Sequence, residues 1–154
     1  MAIKPVKREN LTLLQETYQR FWTKFNQISS QDDDFASNFK VHTIASIRCY
    51  QDYAIGKPYH ICIKINFDRE LASVQIYFNN LVVYDEFYTR YRERIETSIG
   101  RHLEWKEMNT KAYARLNLNF PYLISDVSNW DNVCSEIIPY AIKMKEVFSK
   151  FWGF

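Results

Sequence analysis

The fold is decided by residues 59–67, which read YHICIKINF. Large apolar side chains occupy every second position of this stretch, and the positions between them carry His60, Cys62, Lys64 and Asn66. Because successive side chains of an extended chain point to opposite faces, the alternation predicts a half-buried β-strand. One face of this strand then belongs to a core, and the other face carries polar groups.

Turn residues flank this strand on both sides. The turn Gly-Lys-Pro at residues 56–58 separates it from an earlier strand that ends at Ile55. The turn Asp-Arg-Glu at residues 68–70 leads to a later strand with alternating apolar residues from Ala72 to Phe78. The pattern predicts three strands in meander order.

A helical pattern precedes the meander. Apolar residues recur every three or four positions between residues 11 and 28, and Thr12 with Gln15 predicts a capping box at the helix start. Three aspartates follow at residues 32–34, and neither EF-hand spacing nor a glycine accompanies them. We interpret this acidic run as a solvated loop rather than a metal site.

Four further elements follow the meander. They are a helix that begins after Asn80 and stops at Gly100, strands over residues 102–107 and 112–118, and a last helix that begins near Ser128. Pro139 lies inside the last helix, where proline removes a hydrogen bond and clashes one turn back, so we expect it to kink or split this helix. The order α-βββ-α-ββ-α predicts one α+β domain over residues 1–154, with three helices packed on a mainly antiparallel five-stranded sheet.

The composition excludes several classes of protein. The chain has 20 Lys and Arg against 18 Asp and Glu, a balance too mild to indicate a polyanionic partner by itself. Its three glycines are too few for a dinucleotide fingerprint or a phosphate-binding loop. Its three cysteines form no CxxC pair and no long apolar run occurs, which predicts a cytoplasmic protein with reduced thiols and no membrane segment. No cofactor, metal site or catalytic motif is predicted.

One enzyme-like pattern is the ExK tripeptide from Glu104 to Lys106, on a predicted strand. A magnesium-dependent nuclease would use the glutamate with an upstream aspartate to hold the metal, and the lysine to activate water. A whole predicted helix separates the hairpin at Asp68 from Glu104, and a charged strand face explains the tripeptide equally well. The nuclease hypothesis is therefore a minor alternative to a non-catalytic domain.

The second predicted helix carries the first group of basic residues that could meet a nucleic acid. Arg90 and Arg94 lie on this helix, and Arg101 follows its end. Arginines among tyrosines combine phosphate-binding charge with rings on which bases stack. Glu86 stands four residues before Arg90, however, which also suits a salt-bridged solvent face.

The polar face of the predicted sheet carries the second basic group. Lys64 and Arg115 lie there with His60, Tyr77 and Tyr113, and rings with basic groups on an open sheet face are how several single-strand binders work. The face is open if the helices cover the other side, and it becomes an internal polar network if one helix crosses over. The sequence is compatible with both arrangements.

Several short motifs resemble a known family. They are QDYAIG at residues 51–56, YHI at 59–61, IE at 95–96, IG at 99–100 and LEW at 103–105. These motifs are similar to a prokaryotic domain of unknown function that occurs alone or fused behind restriction-type (PD-(D/E)xK) nuclease domains, and the similarity extends from Phe21 to Phe151. The resemblance implies an association with restriction-modification or other phage-defence systems. In such proteins the fused nuclease would supply the catalytic activity, and the domain of unknown function would supply recognition or assembly.

These observations lead to two hypotheses from different classes. The first is a non-catalytic module that binds DNA or RNA through five basic residues, namely Lys64, Arg90, Arg94, Arg101 and Arg115. The second is a protein-interaction or homodimerisation domain whose apolar end packs on a partner, because aromatic residues are enriched at interfaces. The rings of that end are Phe148, Phe151, Trp152 and Phe154.

Overall fold

A computed structural model describes residues 10–107 and 113–151 of the chain. Its helices are α1 (Leu13–Gln31), α2 (Asp33–Asn38), α3 (Leu81–Glu86), α4 (Arg92–Ile99) and α5 (Trp130–Phe151). Its strands are β1 (Tyr50–Ala54), β2 (Tyr59–Asn66), β3 (Leu71–Phe78), β4 (Glu104–Glu107) and β5 (Ala114–Pro121). A π-helical segment (Phe87–Tyr91) joins α3 to α4, and a 3-10 turn (Val127–Asn129) precedes α5.

The strands form one sheet in the spatial order β1-β2-β3-β5-β4, and every neighbouring pair is antiparallel. The first three strands are the predicted meander, and β5 then pairs with β3 so that β4 becomes an edge. The predicted α+β class and the five-stranded antiparallel sheet are confirmed. Because β3 lies between β2 and β5, side chains that are far apart in sequence become neighbours across the centre of the sheet.

The helices pack on one face of the sheet. The ring of Phe148 in α5 lies 6.2 Å from that of Tyr59 and 6.5 Å from that of Phe78, centroid to centroid, and Phe87 lies 5.7 Å from Tyr59. These strand residues share the apolar face with Ile61, which is fully buried. The polar face lines two surface depressions, to which no helix within residues 10–107 and 113–151 contributes a side chain. Of the two arrangements compatible with the sequence, the described chain adopts the open face.

The start of α1 confirms the predicted capping box. The Thr12 hydroxyl accepts a hydrogen bond from the backbone N–H of Gln15 at 3.1 Å, and the Gln15 side chain accepts one from the Thr12 N–H at 3.0 Å. Two of the N–H groups that a helix start leaves without intrahelical partners are thereby satisfied.

The predicted solvated loop after α1 is wrong, because the acidic run forms the short helix α2. Asp32 caps this helix by accepting a hydrogen bond from the Phe35 N–H at 2.9 Å. Two acidic residues follow in its first turn, where they complement the positive end of the helix dipole. Phe35 is fully buried and packs on Phe25 and Tyr53. Burial of this ring stabilises a helix too short to form alone.

The last two helical regions follow the sequence pattern, with one correction. Gly100 ends α4 in the left-handed conformation, at φ 78°, as predicted. α5 is one unbroken helix although it contains Pro139, so the predicted split is wrong. Pro139 and Ser135, whose carbonyl would have accepted the missing hydrogen bond, are both exposed. Water can therefore satisfy this carbonyl. Of the helices in the described ranges, none combines the length and apolar character needed to cross a bilayer.

A buried polar cluster joins α1 to the edge strand β1. The Asn26 side chain donates to the Gln51 side-chain oxygen at 3.1 Å, and Gln51 donates back to Asn26 at 2.8 Å. The same Gln51 amide also donates to the Tyr53 hydroxyl at 2.9 Å. These polar groups are buried on the helical side of the sheet, and their mutual hydrogen bonds offset the cost of removing them from water.

Candidate functional site

The candidate site is the open polar face of the sheet, formed mainly by alternate residues of β2, β3 and β5. In the strand register His60 lies opposite Tyr77, and Tyr77 lies opposite Arg115. A depression of about 360 Å³ lies over β1, β2, β3 and β5. A narrower one of about 40 Å³ adjoins it towards β4, and Lys64 and Arg115 line both. The strand order therefore brings together the two basic residues that the sequence placed on this face.

Three rings form a stacked ladder across the polar face. The ring centroids of His60 and Tyr77 are 5.2 Å apart with an interplanar angle of 23°, and those of Tyr77 and Tyr113 are 4.9 Å apart at 22°. Burial and the hydrogen bond with Tyr113 raise the pKa of Tyr77. Its hydroxyl therefore stays protonated at neutral pH. The ladder offers ring surface next to polar groups, a combination that suits bases of an unpaired strand.

The cationic groups of Lys64 and Arg115 have no carboxylate partner in the part of the chain that the structure describes. Within residues 10–107 and 113–151, neither side chain lies within ion-pair distance of a carboxylate. The buried Nε of Arg115 has no hydrogen-bond partner among these residues. Because no carboxylate among these residues neutralises either cation, both cationic groups are available to an anion from outside.

Among the described residues of the face, acidic side chains are fewer than basic ones. Within residues 10–107 and 113–151, the two depressions together are lined by four basic residues and two acidic ones, which are Lys64, Arg69, Lys106 and Arg115 against Asp52 and Glu104. The local balance is more positive than that of the whole chain, where the excess is 20 against 18. A polyanion would therefore experience net attraction at this face.

Asp52 pairs with His60, and Cys62 lies beside them. The Asp52 Oδ1 is 3.3 Å from the His60 Nε2. Burial opposes ionisation of Asp52, but its interactions with His60, Cys62 and His42 together outweigh burial and lower the pKa of this carboxyl. The arrangement resembles a Cys-His-Asp set, yet burial and the nearby Asp52 raise the pKa of the Cys62 thiol. Because the thiolate is the nucleophile, this cysteine is unsuited to nucleophilic catalysis.

The ExK residues form part of the same polar face. The Lys106 Nζ lies 3.5 Å from the Glu104 Oε1, which also accepts a hydrogen bond from the Asn117 side chain at 2.9 Å. The hydrogen bond from Asn117 lowers the pKa of Glu104. The residue opposite Glu104 on β5 is Asn117, a neutral amide, where a metal-dependent nuclease needs a second carboxylate. In the described part of the chain, no group of three His, Cys, Asp or Glu side chains is placed to hold a metal ion.

The other three predicted nucleic-acid-binding residues lie in the helical layer, away from the polar face. The Arg90 guanidinium pairs with Glu86 at 3.1 Å, and that of Arg94 lies 4.9 Å from the ring centroid of Phe151. Arg101 pairs with Glu136 at 3.1 Å and also donates to the Asn119 carbonyl at 3.3 Å. The structure therefore does not bring the five predicted residues into one surface.

The apolar end predicted to pack on a partner is partly internal. Phe148 is fully buried among Tyr59, Phe78, Phe87 and Trp105. Phe151 is half-buried, and its ring centroid lies 5.3 Å from that of Tyr91. The other two residues of that prediction, Trp152 and Phe154, lie outside the described residues. Phe148 accordingly stabilises the core of its own chain.

Sequence reasoning missed two features of the polar face. The first is Asp52, which the alternation along β1 places beside Tyr50 and Ala54 on the polar side. Ser73 donates to the Asn119 side chain at 2.7 Å across β3 and β5. The first could have been found by extending the alternation into β1. The second depends on the pairing of β3 with β5, which brings together two residues 46 positions apart. The sequence carries no local signal for this pairing.

Comparison with known proteins identifies the family. Neither a curated protein nor a solved structure matches the chain. A family model described as "Domain of unknown function (DUF4268)" matches residues 17–151, which contain all five strands and almost all of the helical layer. The resemblance seen in the short motifs is therefore confirmed at the level of a domain of unknown function, and the chain belongs to the DUF4268 family.

Proposed function

We propose that this chain is a non-catalytic module that binds single-stranded nucleic acid on the polar face of its sheet. The observation that carries the proposal is the convergence of the ring ladder with Lys64 and Arg115, two cations without a carboxylate partner among the described residues. Phosphates would pair with the cations, and bases would pack against the rings and polar side chains.

The shape of the face favours a single strand over a duplex. Readout of a duplex needs a helix or a β-ribbon that enters a groove, whereas the polar face offers a sheet surface with a depression of about 360 Å³. An unpaired strand can turn its bases towards such a surface and leave its phosphates near the rim. Lys64, Arg69 and Arg115 are the cations available to those phosphates, whereas Lys106 pairs with Glu104.

Fluorescence anisotropy of labelled single- and double-stranded DNA and RNA over a salt series tests the proposal. We expect the single strands to bind more tightly, with log K falling by about 1.4 to 2.1 per decade of salt, because about two or three phosphates are neutralised at ~0.7 each. Tyr77→Leu removes the central ring, on which His60 and Tyr113 stack, and is expected to weaken binding about tenfold, which corresponds to a loss of ~1.4 kcal/mol of contact. The matched control Tyr88→Leu removes an exposed tyrosine of the helical layer and should leave the affinity unchanged. An affinity that does not change with salt concentration would overturn the proposal. Equal losses of affinity in the two variants would also overturn it.

We further propose that the module acts in prokaryotic restriction or phage defence, next to a nuclease that is fused to it or encoded separately. The support for this part is the resemblance to a domain found behind restriction-type nuclease domains. Cells that express the chain with its genetic neighbours should then differ from control cells in phage plating efficiency. Equal plating across a panel of phages would count against the defence role and would leave nucleic-acid binding to be judged by anisotropy.

A further inference from the structure

The acidic residue of the larger depression points to base recognition. Resting on the nucleic-acid binding proposed above, we infer that this depression takes one base of the bound strand and selects guanine through the carboxylate of Asp52. The inference starts from an apparent conflict. A site that attracts phosphates through Lys64 and Arg115 also contains an ionised carboxylate, which repels phosphates.

The conflict is resolved if Asp52 meets a part of the ligand other than its phosphates. Its side chain is 51% exposed, and Oδ1 is held at 3.3 Å from the His60 Nε2. His60 in turn stacks on Tyr77, so the carboxylate has a fixed position beside the ring ladder. A positioned, half-exposed carboxylate accepts hydrogen bonds, and the N–H groups of a base are the donors that a nucleic acid provides.

Guanine matches a carboxylate better than the other bases do. Its ring N1–H and its 2-amino group lie side by side and can donate to both oxygens of one carboxylate, which makes a charge-assisted bidentate contact. Adenine and cytosine place a single amino donor next to a ring acceptor. Uracil and thymine place their ring N–H between two carbonyl oxygens. These neighbouring acceptors repel the carboxylate, so a second hydrogen bond is lost with each of them.

The rest of the depression accommodates the same base and its phosphate. Gln75, which is 4% exposed, lies in its floor and carries an amide N–H that can donate to a carbonyl such as guanine O6. Arg115 lies three strands away from Asp52, on β5, whereas Lys64 lies on the neighbouring strand β2, two positions after the residue that pairs with Asp52. Both line the depression and can reach the phosphate of the same nucleotide. A volume of about 360 Å³ is near the lower end of typical ligand pockets, ~300–1,000 Å³, and suits one nucleotide.

The test uses twelve-residue oligouridylates that carry one central guanine, inosine, adenine or uracil, measured by anisotropy with the full chain. We expect guanine to bind about tenfold more tightly than uracil or adenine, because one bidentate contact is worth ~1–3 kcal/mol. Inosine lacks the 2-amino group and should lose most of this preference. Asp52→Asn replaces one acceptor by a donor and should bind all four strands with similar affinity. Asp33→Asn, an exposed aspartate of α2, is the matched control and should keep the preference.

The outcomes separate this inference from the function on which it rests. Salt-dependent binding that is equal for all four strands overturns guanine selection and leaves the nucleic-acid module standing. A guanine preference that persists in Asp52→Asn overturns the role of Asp52. Failure of every strand to bind at low salt overturns both proposals together. The base series on the unaltered chain decides the question even if Asp52→Asn does not fold.

Discussion

Replacing Phe148 with alanine is expected to lower the free energy of unfolding by about 4 kcal/mol, as is typical of a large ring removed from a packed core. Phe148 is 0% exposed and lies where α5 meets the sheet. Its ring contacts Tyr59 and Phe78 from the strands and Phe87 from the π-helical segment. Truncation leaves a cavity bounded by rigid rings that cannot collapse into it. Urea unfolding followed by tryptophan fluorescence measures the change.

Phe151→Ala is the matched control, since it removes the same ring three residues later from a half-buried position. Its expected cost is at most about 1.5 kcal/mol, in proportion to the smaller area withdrawn from water. The pair of variants also tests the alternative in which this end of the chain binds a partner. An interface role for Phe148 predicts loss of association with little change in the unfolding of the monomer. That result would contradict the core position described here.

Reversing the charges of Lys64 and Arg115 together, as Lys64→Glu with Arg115→Glu, is expected to weaken single-strand binding at least about a hundredfold. Each side chain that meets a phosphate contributes a charge-assisted contact of ~1.5–3 kcal/mol, and each glutamate adds repulsion. A combined loss of about 3 kcal/mol or more corresponds to that factor. Anisotropy at a fixed low salt concentration gives the two affinities.

The matched control is Arg90→Glu with Arg94→Glu, which changes the net charge by the same amount on the helical layer. We expect it to alter affinity by less than about threefold, because Arg90 already pairs with Glu86 at 3.1 Å and the layer lies behind the sheet. Equal losses in the two double variants would mean that net charge, rather than the polar face, governs binding. If the two glutamates prevent folding, the double variant Lys64→Gln with Arg115→Gln takes their place. Circular dichroism checks that this variant is folded.

The elements of the fold were predictable where the information is local. The alternation over residues 59–67, the capping box at Thr12 and the stop at Gly100 each depend on residues that are close in sequence, and each is confirmed. The helix α2 was missed because its six residues carry no helical period. Its stability comes from burial of Phe35 against Tyr53, a contact across 18 positions that local propensity does not express.

The candidate site was predictable in its residue types but not in its extent. The alternation placed Lys64 and Arg115 on polar sides of their strands. Their meeting depends on β5 pairing with β3, which places β5 two strands away from β2, and this order is a property of the whole sheet. The partners of the helical arginines are equally remote, since Arg101 pairs with a glutamate 35 positions away. Helical spacing shows that arginines cluster, whereas only the packed structure shows which of them are already neutralised.

The hydrogen-bonded amides of Asn26 and Gln51 give the edge strand β1 a single alignment. A shift of β1 by one position would turn Asp52 towards the helices and Gln51 towards solvent, because side chains alternate between the faces. An ionised carboxylate would then be buried without its histidine, and the Asn26 amide would lose both hydrogen bonds. Short edge strands are prone to such slippage, and here the correct alignment is enforced by two amides whose removal would leave most of the core contacts in place.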